Sequence, residues 1–136
     1  MKRILVTGAT SGIGRSTVLQ LAREGHHVIA AGRRRALLDA LVAEAGGKVD
    51  ALELDVTGDL EAPLAELDRL TDGYGVDVLV NNAGFGVAAA TAEIGLDDVR
   101  AQFDTNVFGA LALARADLGE VGLGRPTRAI AHVRRA

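Results

Sequence analysis

The chemistry open to this sequence is concentrated near its N-terminus, in Thr7-Gly8-Ala9-Thr10-Ser11-Gly12-Ile13-Gly14. Glycines at this spacing let a pyrophosphate lie against the backbone, where Cβ atoms would otherwise collide with it. The free N–H groups of a helix starting near Gly12 would then face the phosphate charge. Gly8, Thr10, Ser11, Gly12, Ile13 and Gly14 are therefore candidate binding residues. Many glycine turns only bend the chain. It is the position between a first strand and a first helix that gives the phosphate reading its weight.

About 20 residues further on, a unit that binds NAD usually carries an acid for the ribose 2′-hydroxyl. This chain has Gly32-Arg33-Arg34-Arg35 there instead. A carboxylate would repel a 2′-phosphate, whereas a guanidinium pairs with it through charge-assisted hydrogen bonds. NADP is thus expected ahead of NAD, with Arg33 the first contact and Arg34 beside it. The plainer alternative is that these arginines cap the next helix on its solvent face. Helix N-termini disfavour cations, which counts against it.

The elements that must position these residues follow from hydrophobic periodicity. Arg3 to Val6 reads as a short buried strand. The helix after it turns Ile13, Val18, Leu21 and Ala22 inward and ends at Gly25. His27 to Ala31 is a second strand, and Leu37, Leu38, Leu41, Val42 and Ala45 mark a second helix. Val49 to Leu54 is a third strand. Asp59 is a suitable N-cap for a third helix with Leu60, Leu64, Leu67 and Leu70 on one face. Val76 to Val80 is a fourth strand. A long helix then carries Leu96, Val99, Phe103, Val107, Leu111 and Ala114 at spacings of three and four. Apolar strands alternating with helices mean βαβ units and a parallel sheet covered on both faces. The expected fold is α/β, an incomplete doubly wound sheet of Rossmann type with about four strands. Residues 1–116 form the NADP-binding half-domain. Beyond Ala116 the pattern decays through Gly119, Gly122, Gly124 and Pro126, so 117–136 is expected to be an irregular basic tail, although Arg128 to Val133 could make a fifth strand.

Composition narrows the classes. Of 136 residues, 49% are apolar and 3% aromatic, so the core is built from Ala, Val, Leu and Ile. With no cysteine, disulfides, thiol chemistry and Cys-type zinc sites are excluded. No apolar run is long enough for a membrane span, and Met1-Lys2-Arg3 leads straight into a strand, so a cytoplasmic protein without a signal peptide is expected. Residues 115–136 hold five arginines against Asp117 and Glu120, a local +3 within a net charge of −3. That tail lacks aromatic residues and a helical stripe, so no nucleic-acid partner is expected.

Four motifs together resemble the short-chain dehydrogenase/reductase family. They are T-G-x-x-x-G-x-G at Thr7 to Gly14, Asp55-Val56, Asn81-Asn82-Ala83-Gly84, and Asn106 within Asp104-Thr105-Asn106-Val107. The resemblance covers residues 3 to 116. It is to the single-domain oxidoreductase branch rather than that of sugar epimerases, and most to members acting on steroid, retinol or similar alcohols and ketones. It implies that Asp55 contacts the adenine amino group with Val56 beside the ring. Asn82, Ala83 and Gly84 would line the adenosine side of the cleft and brace the central strands. It also implies that the main chain of Asn106, a member of the family's catalytic tetrad, holds a water of a proton relay. Read without the motif, Asn106 would be a helix kink or a satisfied polar residue.

The family pattern then breaks. Its carbonyl-orienting serine and its Tyr-x-x-x-Lys pair, the proton donor and the lysine that tunes it, have no counterpart here. The only tyrosine is Tyr74, four residues before Val78; the lysines are Lys2 and Lys48, and the serines Ser11 and Ser16. His26, His27 and His132 stand with no acid or serine at a suggestive spacing. Three readings result. One is a truncated or frameshifted oxidoreductase of alcohols and carbonyls, inactive by itself. The others are a catalytically silent NADP-binding module and a structural partner subunit. A sheet ending at strand four and a partly uncovered helix face predict self-association.

Overall fold

The computed structural model describes residues 1–120 and 128–131, with side chains through residue 116. Its sheet has the order β3-β2-β1-β4-β5, built from β1 (Arg3–Val6), β2 (His27–Gly32), β3 (Val49–Glu53), β4 (Val78–Asn81) and β5 (Arg128–Ala131). Every neighbouring pair is parallel. The helices are α1 (Gly12–Arg23), α2 (Arg35–Ala45), α3 (Glu61–Leu70), α4 (Leu96–Phe103) and α5 (Ala110–Glu120). A π-helical segment, Asp104–Gly109, joins the last two.

Alternate residues of each strand feed two cores. Ile4, Val6, Val28 and Ala30 pack with Val18 of α1 and with Leu38 and Leu41 of α2. Leu5, Ile29, Leu52 and Leu79 pack on the other face with Leu67 of α3 and Leu113 of α5. This is the doubly wound, Rossmann-type arrangement expected from the sequence. The end of α1 also follows a local rule. Gly25, at φ +82°, closes α1 as its N–H donates to Ala22 and that of His26 to Leu21. At α3 the N-cap position falls to Leu60 rather than the expected Asp59, whose carboxylate one residue earlier still accepts the Glu61 N–H at 3.1 Å.

Three expectations need correction. α5 runs on to Glu120, and Arg128–Ala131 pairs with β4 from Val78↔Arg128 to Asn81↔Ala131. A fifth strand therefore joins the four, β4 is not an open edge, and these parts of 117–136 are regular. The rest of the expected tail, 121–127 and 132–136 with His132, lies outside the described residues. Second, the single long helix expected from Leu96 to Ala114 is interrupted by the π segment, and of its apolar stripe Ala114 packs partly buried on the core. Leu96, Phe103, Val107 and Leu111 are exposed, while Gly109 and Leu113 face the sheet. The π turn shifts the phase of the helix, and Gly109, lacking a side chain, can lie directly on Val56. Third, Ile13 is exposed rather than inward.

A clamp fixes β1 against the start of β4. The Arg3 N–H donates to Asp77 Oδ2 at 2.7 Å, the Asp77 N–H donates to the Arg3 carbonyl at 2.8 Å, and the guanidinium lies 3.3 Å from Asp77 Oδ1. Burial works to raise the Asp77 carboxyl, but the Arg3 N–H and guanidinium, with Lys2, outweigh it and hold it below the usual aspartate value. A carboxyl depressed on folding adds stability above its unfolded pKa of about 3.9, and loses it as pH falls through the folded value. Asp77→Asn is expected to lower stability by about 1 kcal/mol at neutral pH, a small figure because the pair is partly solvated. Thermal melts of both proteins over a pH series check this: the gap should close in acid, and a gap that persists there contradicts the assignment.

Candidate functional site

A cleft of about 230 Å³ opens at the C-terminal ends of β1 to β4. Because β2 and β4 flank β1 on opposite sides, the chain leaves β1 and β4 in diverging directions, and this architecture binds ligands at such a crevice. Five segments line the cleft. They are the β1–α1 turn and start of α1 with Thr7, Gly8, Thr10, Ser11 and Ile13; Gly32 to Arg34 at the end of β2; Leu54 to Val56 after β3; Asn82 to Phe85 after β4; and Thr105 of the π segment.

Two glycines shape the turn. Gly8 has φ +64°, and a Cβ there would lie 2.9 Å from Ala83 Cα. At Gly14 a Cβ would lie 2.3 Å from the Gly8 carbonyl oxygen and 2.5 Å from Asn82 Nδ2. The turn is thus folded tightly onto the segment after β4. The first turn of α1 holds no acidic side chain, and Ser11 makes no side-chain cap, so its positive end is left uncompensated.

Arg33 and Arg34 are exposed on the cleft wall. Arg34 Nη2 donates to Thr10 Oγ1 at 2.8 Å, linking the end of β2 to the glycine turn. Arg35 turns away to pair with Asp39. Asp55 accepts from the Thr57 N–H at 2.9 Å and the Thr57 hydroxyl at 2.8 Å. Those hydrogen bonds, more than nearby Arg33, lower its pKa and keep it ionised.

The segment after β4 is locked by Thr7, which is 1% exposed. The Thr7 hydroxyl accepts the Asn82 and Ala83 N–H groups, each at 3.0 Å, and donates to the Val80 carbonyl at 3.4 Å. In return Asn82 Nδ2 donates to the Thr7 carbonyl at 3.0 Å and the Gly8 carbonyl at 3.3 Å. Asn106 closes a second lock, exchanging hydrogen bonds of 3.0 and 2.7 Å with the Phe85 backbone.

Of the residues picked from sequence, Gly8, Thr10, Ser11, Ile13, Arg33, Arg34, Asp55, Val56, Asn82, Ala83 and Gly84 line the cleft. Gly14 packs behind the turn against Gly8 and Asn82, Gly12 starts α1 at φ +55° without lining the cleft, and Asn106 is bonded to the Phe85 backbone. Thr7, Gly32, Leu54, Phe85 and Thr105 line it but were not singled out. Thr7 carries two signals in the sequence, a hydroxyl ending an apolar strand and the first place in the T-G-x-x-x-G-x-G motif. Tyr74 lies near the other end of β1, where the Arg3 guanidinium sits 5.3 Å from its ring centroid. His27, read as lacking an acid, has Asp50 at 2.6 Å across the strand ends. Among the described residues there is no metal-binding group of His or acidic side chains, and no helix long and apolar enough to cross a membrane.

The short chain dehydrogenase family model matches residues 2–124. Serine 3-dehydrogenase of Agrobacterium fabrum is 43% identical over 110 residues, which are 79% of this chain and 44% of that protein. An NADP-dependent 3-hydroxy acid dehydrogenase of Shigella flexneri is 36% identical over 118 residues, 85% of this chain and 47% of that protein. Among solved structures, serine dehydrogenase from Escherichia coli superposes with a TM-score of 0.77 at 35% identity, covering 87% of this chain and 55% of that one. The chain spans about half the length of the curated relatives it matches.

Proposed function

The chain belongs to the short chain dehydrogenase family, and from that premise we propose that residues 1–136 are the NADP-binding part of an oxidoreductase of alcohols and carbonyls. The observation that carries the reading is the pair Arg33 and Arg34 on the wall of a cleft whose floor is a glycine turn. The residues fit a dinucleotide. Gly8 and Gly14 leave backbone where side chains would fill the pyrophosphate position, α1 offers N–H groups, and the guanidiniums suit a 2′-phosphate. Asp55 and Val56 would hold the adenine, with Asn82 to Gly84 bracing the adenosine side. Bound there, NADP(H) would supply or accept the hydride. Small-molecule alcohols or carbonyls are the proposed partners, and the cytoplasm the proposed location.

This reading predicts that NADP binds more tightly than NAD. Losing one charge-assisted contact costs about 1.5–3 kcal/mol, or roughly ten- to a hundredfold in affinity. Calorimetric titration of Arg33→Ala against both nucleotides should show NADP affinity falling by that factor while NAD is little changed. An unaltered preference would sink the assignment.

The chain is also expected to self-associate. Leu96, Phe103, Val107, Phe108 and Leu111 present an exposed apolar face along α4, the π segment and α5. Sedimentation velocity across a concentration series should show mass rising with concentration, and a monomer throughout would count against it.

A further inference from the structure

Asn81, the last residue of β4, is only 7% exposed, yet its amide is satisfied on one side alone. Nδ2 donates to the Ala110 carbonyl at 3.2 Å, whereas Oδ1 is buried without a partner among the described residues. An unpaired buried carbonyl is unfavourable, and a leucine of similar size would avoid it. Stability alone therefore gives no reason for an asparagine; its N–H donor does.

That donor reaches the point where the π segment gives way to α5. A π turn is rare and persists where its surroundings hold it. Three contacts hold this one. Gly109 lies so close to Val56 that a Cβ would be 2.7 Å from the Val56 carbonyl oxygen. Asn106 exchanges two hydrogen bonds with Phe85. Asn81 fixes Ala110 from the sheet. Returning to α-helical register would rotate the segment by about one residue, roughly 100° of helical phase, and carry Asn106 and Thr105 off their present lines.

We propose that Asn81 is a positioning residue: it sets the register of the π segment, and through it the seating of Asn106 on Phe85 and of Thr105 in the cleft. Its functional meaning rests on the nucleotide-cleft reading, but its structural content does not. The test is amide hydrogen exchange on the 136-residue chain. In Asn81→Leu the Phe85 amide should lose about tenfold in protection, the worth of one hydrogen bond, while the Leu5 and Ile29 amides change less than about twofold. Adding Asn81→Leu to Asn106→Ala should cost the Phe85 amide nothing beyond Asn106→Ala alone, since both act on the same bond. If Asn81→Leu does not fold, Asn81→Ser, too short to reach Ala110, takes its place. Unchanged Phe85 protection, equal loss at Leu5 and Ile29, or additive effects in the double variant would each overturn the proposal. Wild-type chain that binds no NADP in a separate titration would remove the nucleotide reading and leave the exchange result standing.

Discussion

Gly14→Ala is expected to abolish nucleotide binding and to destabilise the fold by about 3–5 kcal/mol. The added Cβ would lie 2.3 Å from the Gly8 carbonyl oxygen, 2.9 Å from its carbon and 2.5 Å from Asn82 Nδ2. None of these can withdraw freely. Asn82 Nδ2 is bonded to the Thr7 and Gly8 carbonyls, and the Gly8 backbone is pressed against Ala83. Overpacking costs about 1–3 kcal/mol, and each displaced hydrogen bond about one more. Because the obstruction lies between the glycine turn and the segment after β4, any relaxation moves the turn that lines the cleft. Gly25→Ala is the control. Its φ is +82° but nothing lies within 4 Å, so it should cost about 1–2 kcal/mol of backbone strain and leave binding intact. Urea unfolding and calorimetric titration of both variants decide the matter. Gly14→Ala that keeps its NADP affinity within about twofold would show that the turn is not part of the site.

The second large effect concerns turnover. Purified residues 1–136 are expected to bind NADPH and yet oxidise none of it measurably with ketones, aldehydes or quinones. Hydride arriving at a carbonyl carbon leaves negative charge on its oxygen, and a donor of suitable pKa must meet it within hydrogen-bond reach. Such a donor is worth about 10²–10⁴ in rate. The cleft offers the hydroxyls of Thr7, Thr10, Ser11 and Thr105, none of which is a useful acid near neutrality, and Thr7 is already committed to Val80. Tyr74 lies near the start of β4, by Arg3, away from the cleft at the strands' far ends. Asn106 spends both side-chain groups on Phe85. Steady NADPH oxidation abolished by Tyr74→Phe or by Asn106→Ala would overturn the expectation and require a different donor.

Much of this architecture could be read from the sequence because it rests on local rules. Strand and helix periods differ, and a glycine turn between Val6 and Val18 leaves few alternatives. The same holds for most cleft residues, which sit directly after strands in a fold that gathers strand ends. What escaped depended on distant partners. Thr7 looks like any strand-end threonine until Asn82 and Ala83 arrive to use its hydroxyl. The apolar spacing from Leu96 to Ala114 is a genuine helical period, but α4 buries none of its residues, and after the π segment Gly109, Leu113 and Ala114 face the sheet while Val107 and Leu111 stay exposed. Ile13 fits the inward period of α1, yet it occupies the first turn, where the helix overhangs the cleft rather than the sheet. The fifth strand was faint because Arg128–Ala131 is only four residues long and stands among arginines.

The parallel register has a consequence for how the cleft comes into being. β1 meets β2 at Arg3↔His27, a short closure, but it meets β4 across 74 residues of chain, as in the Arg3–Asp77 clamp. The longer closure costs about 1 kcal/mol more in chain entropy and must come before Thr7 can engage Asn82. The wall bearing the glycine turn, Arg33 and Arg34 can thus assemble from nearby sequence, while the wall from Asn82 to Phe85 arrives with the slower contact. A dinucleotide touching both walls would bind only after they meet. It would act as a clasp on the most distant contact in the half-sheet, adding about 2.7 kcal/mol of stability at a hundredfold excess over its Kd.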